Sequence, residues 1–255
     1  MAPSRIQSAF TLVELLVVIV VISLLSMLVV PVVGRATDIA NNAACLNNLR
    51  GLGKAMGLYQ SAHRDEFCPY VMINTPGKGL TTYFWGSATD PVDPSVSPLL
   101  KASNAPLSVM WCPKQPWGTY LPQGNVSEPT TNYAYNAWAL APPPWSKKNI
   151  GGEPKRPKKR HDIDNPGELF VFADSAMYWA PGGVDIVQNS AYLEPVTGNW
   201  TQTPTTHFRH NGRANAVCVD GSANSYGREG WVFGAKYENV KLGFVGTSNI
   251  PHYDQ

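Results

Sequence analysis

Residues 9–31 read AFTLVELLVVIVVISLLSMLVVP, and from Leu15 to Val33 the chain runs nineteen residues without a charge. As an α-helix rising about 1.5 Å per residue, that run spans roughly 28 Å, the thickness of a bilayer's hydrocarbon core. Its valines and isoleucines suit strands, but ordinary strands stop at about 4 to 8 residues, so length decides for a membrane helix. Glu14 stands at the head of the run. A lone carboxylate at the bilayer centre costs about 2.5 to 3.5 kcal/mol, less near an interface, so Glu14 asks for a partner. A cleaved secretory signal is the competing reading, because Gly34-Arg35-Ala36 offers small residues for cleavage. Against it, the run exceeds the roughly 7 to 15 residues of a signal core, Glu14 interrupts its start, and a helical pattern continues beyond it.

From residue 35 to 62, Ile39, Ala43, Leu46, Leu49, Leu52, Met56 and Tyr59 recur in steps of three and four. They form one face of an amphipathic helix, with Asp38, Asn41, Asn42, Asn48 and Lys54 opposite. The expectation is one long helix over residues 10–62, embedded in lipid over about 10–33 and packed on a head afterward. Gly51, Gly53 and Gly57 each weaken it by about 1 kcal/mol relative to alanine. Close backbone approach to a sheet or a neighbouring helix would justify them.

The stretch Ala9-Phe10-Thr11-Leu12-Val13-Glu14-Leu15-Leu16 resembles the cleavage and methylation segment of type IV prepilins and type II secretion pseudopilins. The resemblance implies a leader over residues 1–9, cut by a prepilin peptidase after Ala9, with methylation of the new amino terminus at Phe10. Glycine is usual before the cut, so Ala9 is a departure. Glu14 becomes the fifth mature residue, an assembly residue that meets the charged amino terminus of an adjacent subunit. Pro31 falls at mature position 22, where the family commonly has a helix-loosening proline. The implied fold is α+β, a long N-terminal helix packed on a head, residues 63–255, with an antiparallel sheet. The implied location is the bacterial inner membrane, single-pass with a periplasmic head, and then a periplasmic or extracellular filament. The implied partners are the peptidase, an inner-membrane assembly platform, an ATPase acting indirectly, and other pilins or pseudopilins in a homo- or hetero-polymer.

A second resemblance lies farther along. His210, nine residues, then Asp220-Gly221, in HNGRANAVCVDG, is similar to the H-x9-DG signature of prepilin-type proteins abundant in planctomycete and verrucomicrobial bacteria. Cys45-Leu46-Asn47-Asn48-Leu49-Arg50, Trp111-Cys112-Pro113, Asn132-Tyr133-Ala134-Tyr135-Asn136 and Phe172-Ala173-Asp174-Ser175 agree with it, and they identify relatives without assigning an activity. Asn211-Gly212 and Asp220-Gly221 are hairpin turn signals, so residues 207–227 read as a three-stranded meander. With Arg213 to Val219 as its middle strand, His210 and Asp220 lie roughly 23 Å apart, shaping turns instead of forming a catalytic pair. Leu169 to Ala173 and Ala216 to Val219 are short apolar runs, and as neighbouring strands they would bring Asp174 and Asp220 together for a calcium ion, as in some secretion pseudopilins. No dense run of oxygen ligands supports that site.

The composition sets limits on function. The chain has 255 residues, 44% hydrophobic and 15% charged, with 22 Gly and 22 Pro, which describes a folded and loop-rich protein. A net charge of +2 gives no sign of a nucleic-acid partner. The run Lys147 to His161, KKNIGGEPKRPKKRH, reads as an exposed basic loop, and Lys155, Arg156, Lys158, Lys159 and Arg160 are its candidates for holding an anionic polymer. Of the four cysteines, Cys112 is expected to bridge Cys45 or Cys68 in an oxidising compartment, while Cys218 sits in an apparent core strand as an inert thiol. There is no CxxC pair for a zinc ribbon. There is also no Gly-rich phosphate loop, nucleophile elbow or H-E-x-x-H helix, so nothing makes a positive case for an enzyme, and no cofactor is expected beyond that calcium ion. The expected function is a structural subunit of a type IV pilus-like or type II secretion filament. The rival is a membrane-tethered surface module that binds glycans or anionic polymers through loop aromatics such as Trp117, Trp138, Trp145 and Trp200, or through the basic run.

Overall fold

The structure, a computed structural model, describes residues 11–73, 81–87, 89, 91–115, 130–143, 156–194, 203–228, 235–246 and 252–253. It opens with α1 (Leu12–Ala62), then β1 (Val71–Met72), β2 (Thr82–Tyr83), β3 (Gly86–Ser87), α2 (Pro98–Ser103), β4 (Tyr133–Tyr135) and α3 (Ala137–Leu140). After these come β5 (Phe170–Asp174), β6 (Met177–Trp179), β7 (Ile186–Gln188), β8 (Thr206–His207), β9 (Arg213–Cys218), β10 (Ala223–Gly227), α4 (Ala235–Asn239) and β11 (Leu242–Gly243). The fold is α+β, a long N-terminal helix packed on antiparallel sheet. The chain divides into two compact units, residues 1–40 and 41–255. In the first, α1 exposes its large apolar side chains from Leu12 to Val33. Among the described residues it is the helix long and apolar enough to cross a membrane.

In the second unit, residues 41–62 of α1 pack on a four-stranded sheet of order β10-β9-β5-β4, antiparallel throughout. Strand alternation sorts its side chains into two cores. Tyr133, Tyr135, Val217 and Val219 join Cys45, Leu49, Leu52, Met56 and Tyr59 of α1, while Ala134, Ala214, Ala216 and Cys218 face Phe208, Phe244 and Tyr253 on the other side. In β5 the alternation is broken by a bulge between Phe170 and Phe172. The extra residue lets Val171 and Phe172 both join the α1 side while Phe170 and Ala173 face away.

The buried face of α1 differs from the face expected at its beginning. Leu49, Leu52, Met56 and Tyr59 are buried, but Ala43 is exposed, Ile39 is 70% exposed, and Cys45 holds the inner position. At about 100° per residue, successive steps of three drift back about 60° each, so Ala43 lies opposite Leu52. Two of the asparagines placed on the opposite face bond to the rest of this unit. Asn48 Nδ2 donates to the Trp111 carbonyl at 2.7 Å, and Asn42 Oδ1 accepts from Asn215 Nδ2 at 2.8 Å.

The expected meander is also reduced. β9 and β10 form its hairpin, but β8 pairs with β11, and only a single bridge, His210 to Arg213, extends β9 backward. Between β8 and that bridge, the Arg209 side chain turns into the interior next to Asp174.

Two glycines of α1 stand where the helix meets its neighbours most closely. A Cβ at Gly51 would lie 2.7 Å from Val109 Cγ2, and one at Gly53 would lie 2.9 Å from Val217 Cγ2, whereas Gly57 has nothing within 4 Å. Gly53→Val is expected to destabilise by about 1–3 kcal/mol through overpacking. Gly57→Ala should gain about 1 kcal/mol of helix propensity, and urea unfolding of the detergent-solubilised chain, followed by tryptophan fluorescence, measures both. Buried Glu194 supplies a pH dependence, because burial raises its pKa from 4.5 to about 7. The folded chain keeps this proton after the unfolded chain has lost it, so the group's contribution is full below pH 4.5 and is lost as pH rises to about 7. Glu194→Gln should flatten the pH profile of stability in that window, by up to about 3 kcal/mol in the same unfolding assay.

Candidate functional site

Four segments distant in sequence converge where β5 ends. Asp174, the last residue of β5, is fully buried between β4 and β9: it is registered against Tyr133, and its Oδ2 accepts from the Asn215 amide at 2.8 Å. Cys45 lies one helical turn before Leu49 on the inner face of α1, and its Sγ is 3.3 Å from Asp174 Oδ1. Cys112 follows the turn Leu107–Met110; its amide donates to Asn132 Oδ1 at 3.1 Å, and its Sγ is 3.3 Å from His210 Nε2. His210 is placed by the Asn211-Gly212 turn. Both turn residues have positive φ, 52° and 78°, and His210 and Arg213 exchange two backbone hydrogen bonds of 3.0 Å across it. This is the two-residue hairpin geometry that Asn-Gly favours. The His210 ring thus comes within 3.4 Å of Asp174 Oδ2.

Two thiols, one carboxylate and one imidazole therefore share one interior space, each no more than 5% exposed, with one ligand atom of each inside 4.8 Å of all the others. Arg209 supplies the countercharge: its Nε is 3.7 Å from Asp174 Oδ1, and Nη2 donates to the carbonyls of Asn132 and Ser175. The Tyr133 hydroxyl donates to Cys45 Sγ at 3.3 Å. Burial pushes the Asp174 carboxyl up to about 6 against the pull of Arg209. Burial likewise raises Cys45, helped by its hydrogen bond with Cys112 and by the Asp174 charge. Burial also acts to raise Cys112, but hydrogen bonds from Cys45 and His210 and the charges of Arg209 and His210 outweigh it, and its pKa falls.

The calcium pairing of Asp174 with Asp220 is overturned. β5 and β9 are neighbours, but they run antiparallel, so Asp174 sits beside Asn215 while Asp220 lies past the far end of β9. Asp220 is exposed there; it accepts from the Ser222 amide at 2.8 Å and donates its own amide to the Pro166 carbonyl. The four cysteines are free thiols. Cys112 has come to Cys45 and not to Cys68, whose amide meets Met56 Sδ at 3.4 Å, and Cys218 is buried near the Tyr226 hydroxyl.

The basic run is described from Arg156 on, and Lys155 lies outside the described residues. Its end is docked and is not a free loop: the Lys158 carbonyl accepts from the Phe67 amide, the Arg160 amide donates to the Asp65 carbonyl, and Lys159 bridges Glu66. His161 Nδ1 lies 2.8 Å from Asp65 Oδ2, so acidic groups offset the local charge. Of the loop tryptophans, Trp138 is half-buried and packs edge-on against Tyr192, and Trp117, Trp145 and Trp200 are outside the described residues.

At the other end of the chain, Glu14 reaches back over the first turn of α1. Its Oε2 accepts from the Thr11 amide at 2.9 Å and from the Thr11 hydroxyl at 2.7 Å, while the Glu14 amide donates to Thr11 Oγ1 at 3.2 Å. This reciprocal pair is a capping box, which satisfies donors that a helix start leaves open. Thr11-x-x-Glu14 is the local sequence signature of that box. Residues 4–30 match the family model described as the prokaryotic N-terminal methylation motif. The chain carries a prepilin-type signal.

The methylation motif indicates a type IV pilin- or pseudopilin-like protein, and the helix it runs into is long and apolar enough to cross a membrane. It covers Ala9 and Phe10, which lie outside the described residues, and Glu14, but ends one residue before Pro31, through which α1 continues without interruption. The His210 to Gly221 stretch is not part of the match. No curated protein and no solved structure gives a significant match to the chain.

The buried cluster was not legible as a unit because its four members come from four distant segments with no CxxC pair, and the one H-x-x-H spacing, His207-Phe208-Arg209-His210, contributes only its second histidine. Yet each of four quoted fragments contributes one member: Cys45, Cys112, Asp174 and His210. Removing the countercharge tests how tightly the cluster is balanced. Arg209→Met leaves Asp174 buried without its cation and should cost about 3–5 kcal/mol in urea unfolding, whereas an exposed control such as Arg156→Met should change stability by less than about 0.5 kcal/mol.

Proposed function

We propose that the chain is a structural pilin or pseudopilin subunit of a type IV pilus-like or type II secretion filament, with no catalytic activity of its own. The methylation motif at residues 4–30, running directly into the apolar helix, is the observation that carries this reading. A prepilin peptidase cuts after Ala9, the new amine at Phe10 is methylated, and the helix waits in the inner membrane with its head in the periplasm. An assembly platform then delivers it to a polymer of like subunits, where packing between apolar helices replaces contact with lipid.

Glu14 has two roles in sequence. In the single chain it caps its own helix through Thr11. In the filament it meets the ammonium of the adjacent subunit's Phe10, a charge pair strengthened by the low dielectric around it. The pairing fixes axial register because a subunit one turn out of place leaves the carboxylate alone in an apolar medium.

The rival reading, a tethered module for anionic polymers, draws on the exposure of Arg156 and Arg160. It is weakened by the docking of Lys158 to Arg160 against Asp65 to Phe67. Charge reversal at Lys158, Lys159 and Arg160 that leaves polymer binding unchanged removes it.

Mass spectrometry of the mature amino terminus is expected to find N-methylated Phe10, and a start after Ala36 would overturn the assignment. Glu14→Gln should still be cut, yet enter filaments about tenfold less or worse, equivalent to at least about 1.4 kcal/mol. Filament yield on shearing, compared between variant and wild type, is the readout.

A further inference from the structure

We propose that Cys45, Cys112, Asp174 and His210 are the ligands of a structural zinc ion that fastens residues 41–62 of α1 to the sheet. Zinc takes four such ligands tetrahedrally, with sulfur at about 2.3 Å and imidazole nitrogen or carboxylate oxygen at about 2.0–2.2 Å. Those bond lengths set neighbouring ligand atoms roughly 3.3–3.8 Å apart. The observed separations are 3.3 Å for Cys45 Sγ to Asp174 Oδ1, 3.3 Å for Cys112 Sγ to His210 Nε2, and 3.4 Å for His210 Nε2 to Asp174 Oδ2. Three donor separations thus fall close to that spacing, the two to Asp174 through different carboxylate oxygens, and one donor atom from each residue lies within 4.8 Å of the rest.

The chemistry selects the metal. Two sulfurs and an imidazole suit zinc, whereas calcium and magnesium take oxygen ligands. Four protein ligands, all buried, leave no open position for a substrate, which makes the site structural and not catalytic. Charge also closes: two thiolates and one carboxylate carry three negative charges, the divalent ion cancels two, and Arg209 at 3.7 Å from Asp174 balances the third. Binding holds both sulfurs as thiolates and expels the proton of the Cys45 thiol. His210 coordinates through the lone pair of Nε2, the nitrogen that faces the cluster, and keeps its remaining proton on Nδ1.

The competing fate of the same sulfurs is a Cys45–Cys112 disulfide, which an oxidising compartment permits. A bridge needs the sulfurs about 2.05 Å apart and would consume both thiolates. It would also leave Asp174 and His210 without a role in the cluster they complete. The zinc site does not depend on the filament reading, because all four ligands lie in the unit of residues 41–255.

The full chain, purified from membranes in detergent without chelator or reductant, should contain about one zinc per molecule by elemental mass spectrometry. Cobalt(II) substituted for zinc should give the visible bands of a four-coordinate centre, together with a sulfur-to-cobalt charge-transfer band of two-thiolate intensity. Cys45→Ser, Cys112→Ser and His210→Ala should each weaken zinc binding by more than about tenfold, while Cys68→Ser and Cys218→Ser should not. The cobalt spectrum of the wild-type chain decides the matter even if the ligand variants fail to fold. Absence of the sulfur band overturns the proposal, as does a metal-free chain lighter by two hydrogens with Cys45 and Cys112 in one cross-linked peptide.

Discussion

The close seating of α1 on the sheet is the constraint on which the head depends. Leu49, Leu52, Met56 and Tyr59 supply the apolar contact, but side chains of that size alone would hold the helix off the strands. Gly51 and Gly53 remove the Cβ atoms that would strike Val109 and Val217. The helix is then close enough for polar groups on its flanks to reach the head. Asn42 meets Asn215 of β9, Asn48 meets the Trp111 carbonyl, and Arg50 Nη2 reaches the Ala223 carbonyl of β10 at 3.4 Å. These bonds fix the rotation of α1 about its axis, which apolar contact by itself specifies weakly.

That rotation aims Cys45 at the end of β5. The interior there is the opposite of an oily core: a carboxylate, a guanidinium, an imidazole and two thiols share one enclosed space. Burying such groups is costly unless each is matched by charge or hydrogen bond. The matching comes from several elements at once, with the Asn215 amide from β9, the Tyr133 hydroxyl from β4 and Arg209 from the segment before the Asn211-Gly212 turn. The cluster therefore forms only when every element is in place, and it discriminates between the correct packing and near alternatives in a way that interchangeable apolar side chains cannot.

The amino-terminal unit follows a different logic. Its apolar side chains from Leu12 to Val33 are exposed, and on the proposed reading their surroundings are lipid and then the helices of other subunits. Glu14 is compatible with both surroundings because it carries its own local partner. Thr11 engages the carboxylate within its own chain, so the helix start satisfies its donors locally. One glutamate thus serves helix formation first and, on the proposed reading, subunit pairing afterward.

Sequence by itself determined whatever is encoded locally. An uncharged run of nineteen residues is long enough for a bilayer whatever follows it, and Asn211-Gly212 turns the chain wherever it is placed. The methylation motif is likewise contiguous, which is why a stretch of eight residues was enough to recognise it. The helical stripe was legible from Leu49 to Tyr59 but drifted toward residue 39, since steps of three do not keep pace with a turn of about 3.6 residues. Tertiary structure alone decided which cysteine faces which, that Asp174 and Asp220 stand at opposite ends of antiparallel neighbours, and that Arg209 turns inward. Those outcomes depend on strand order and helix rotation. Both are set by contacts among segments separated by tens of residues, and no local spacing records them.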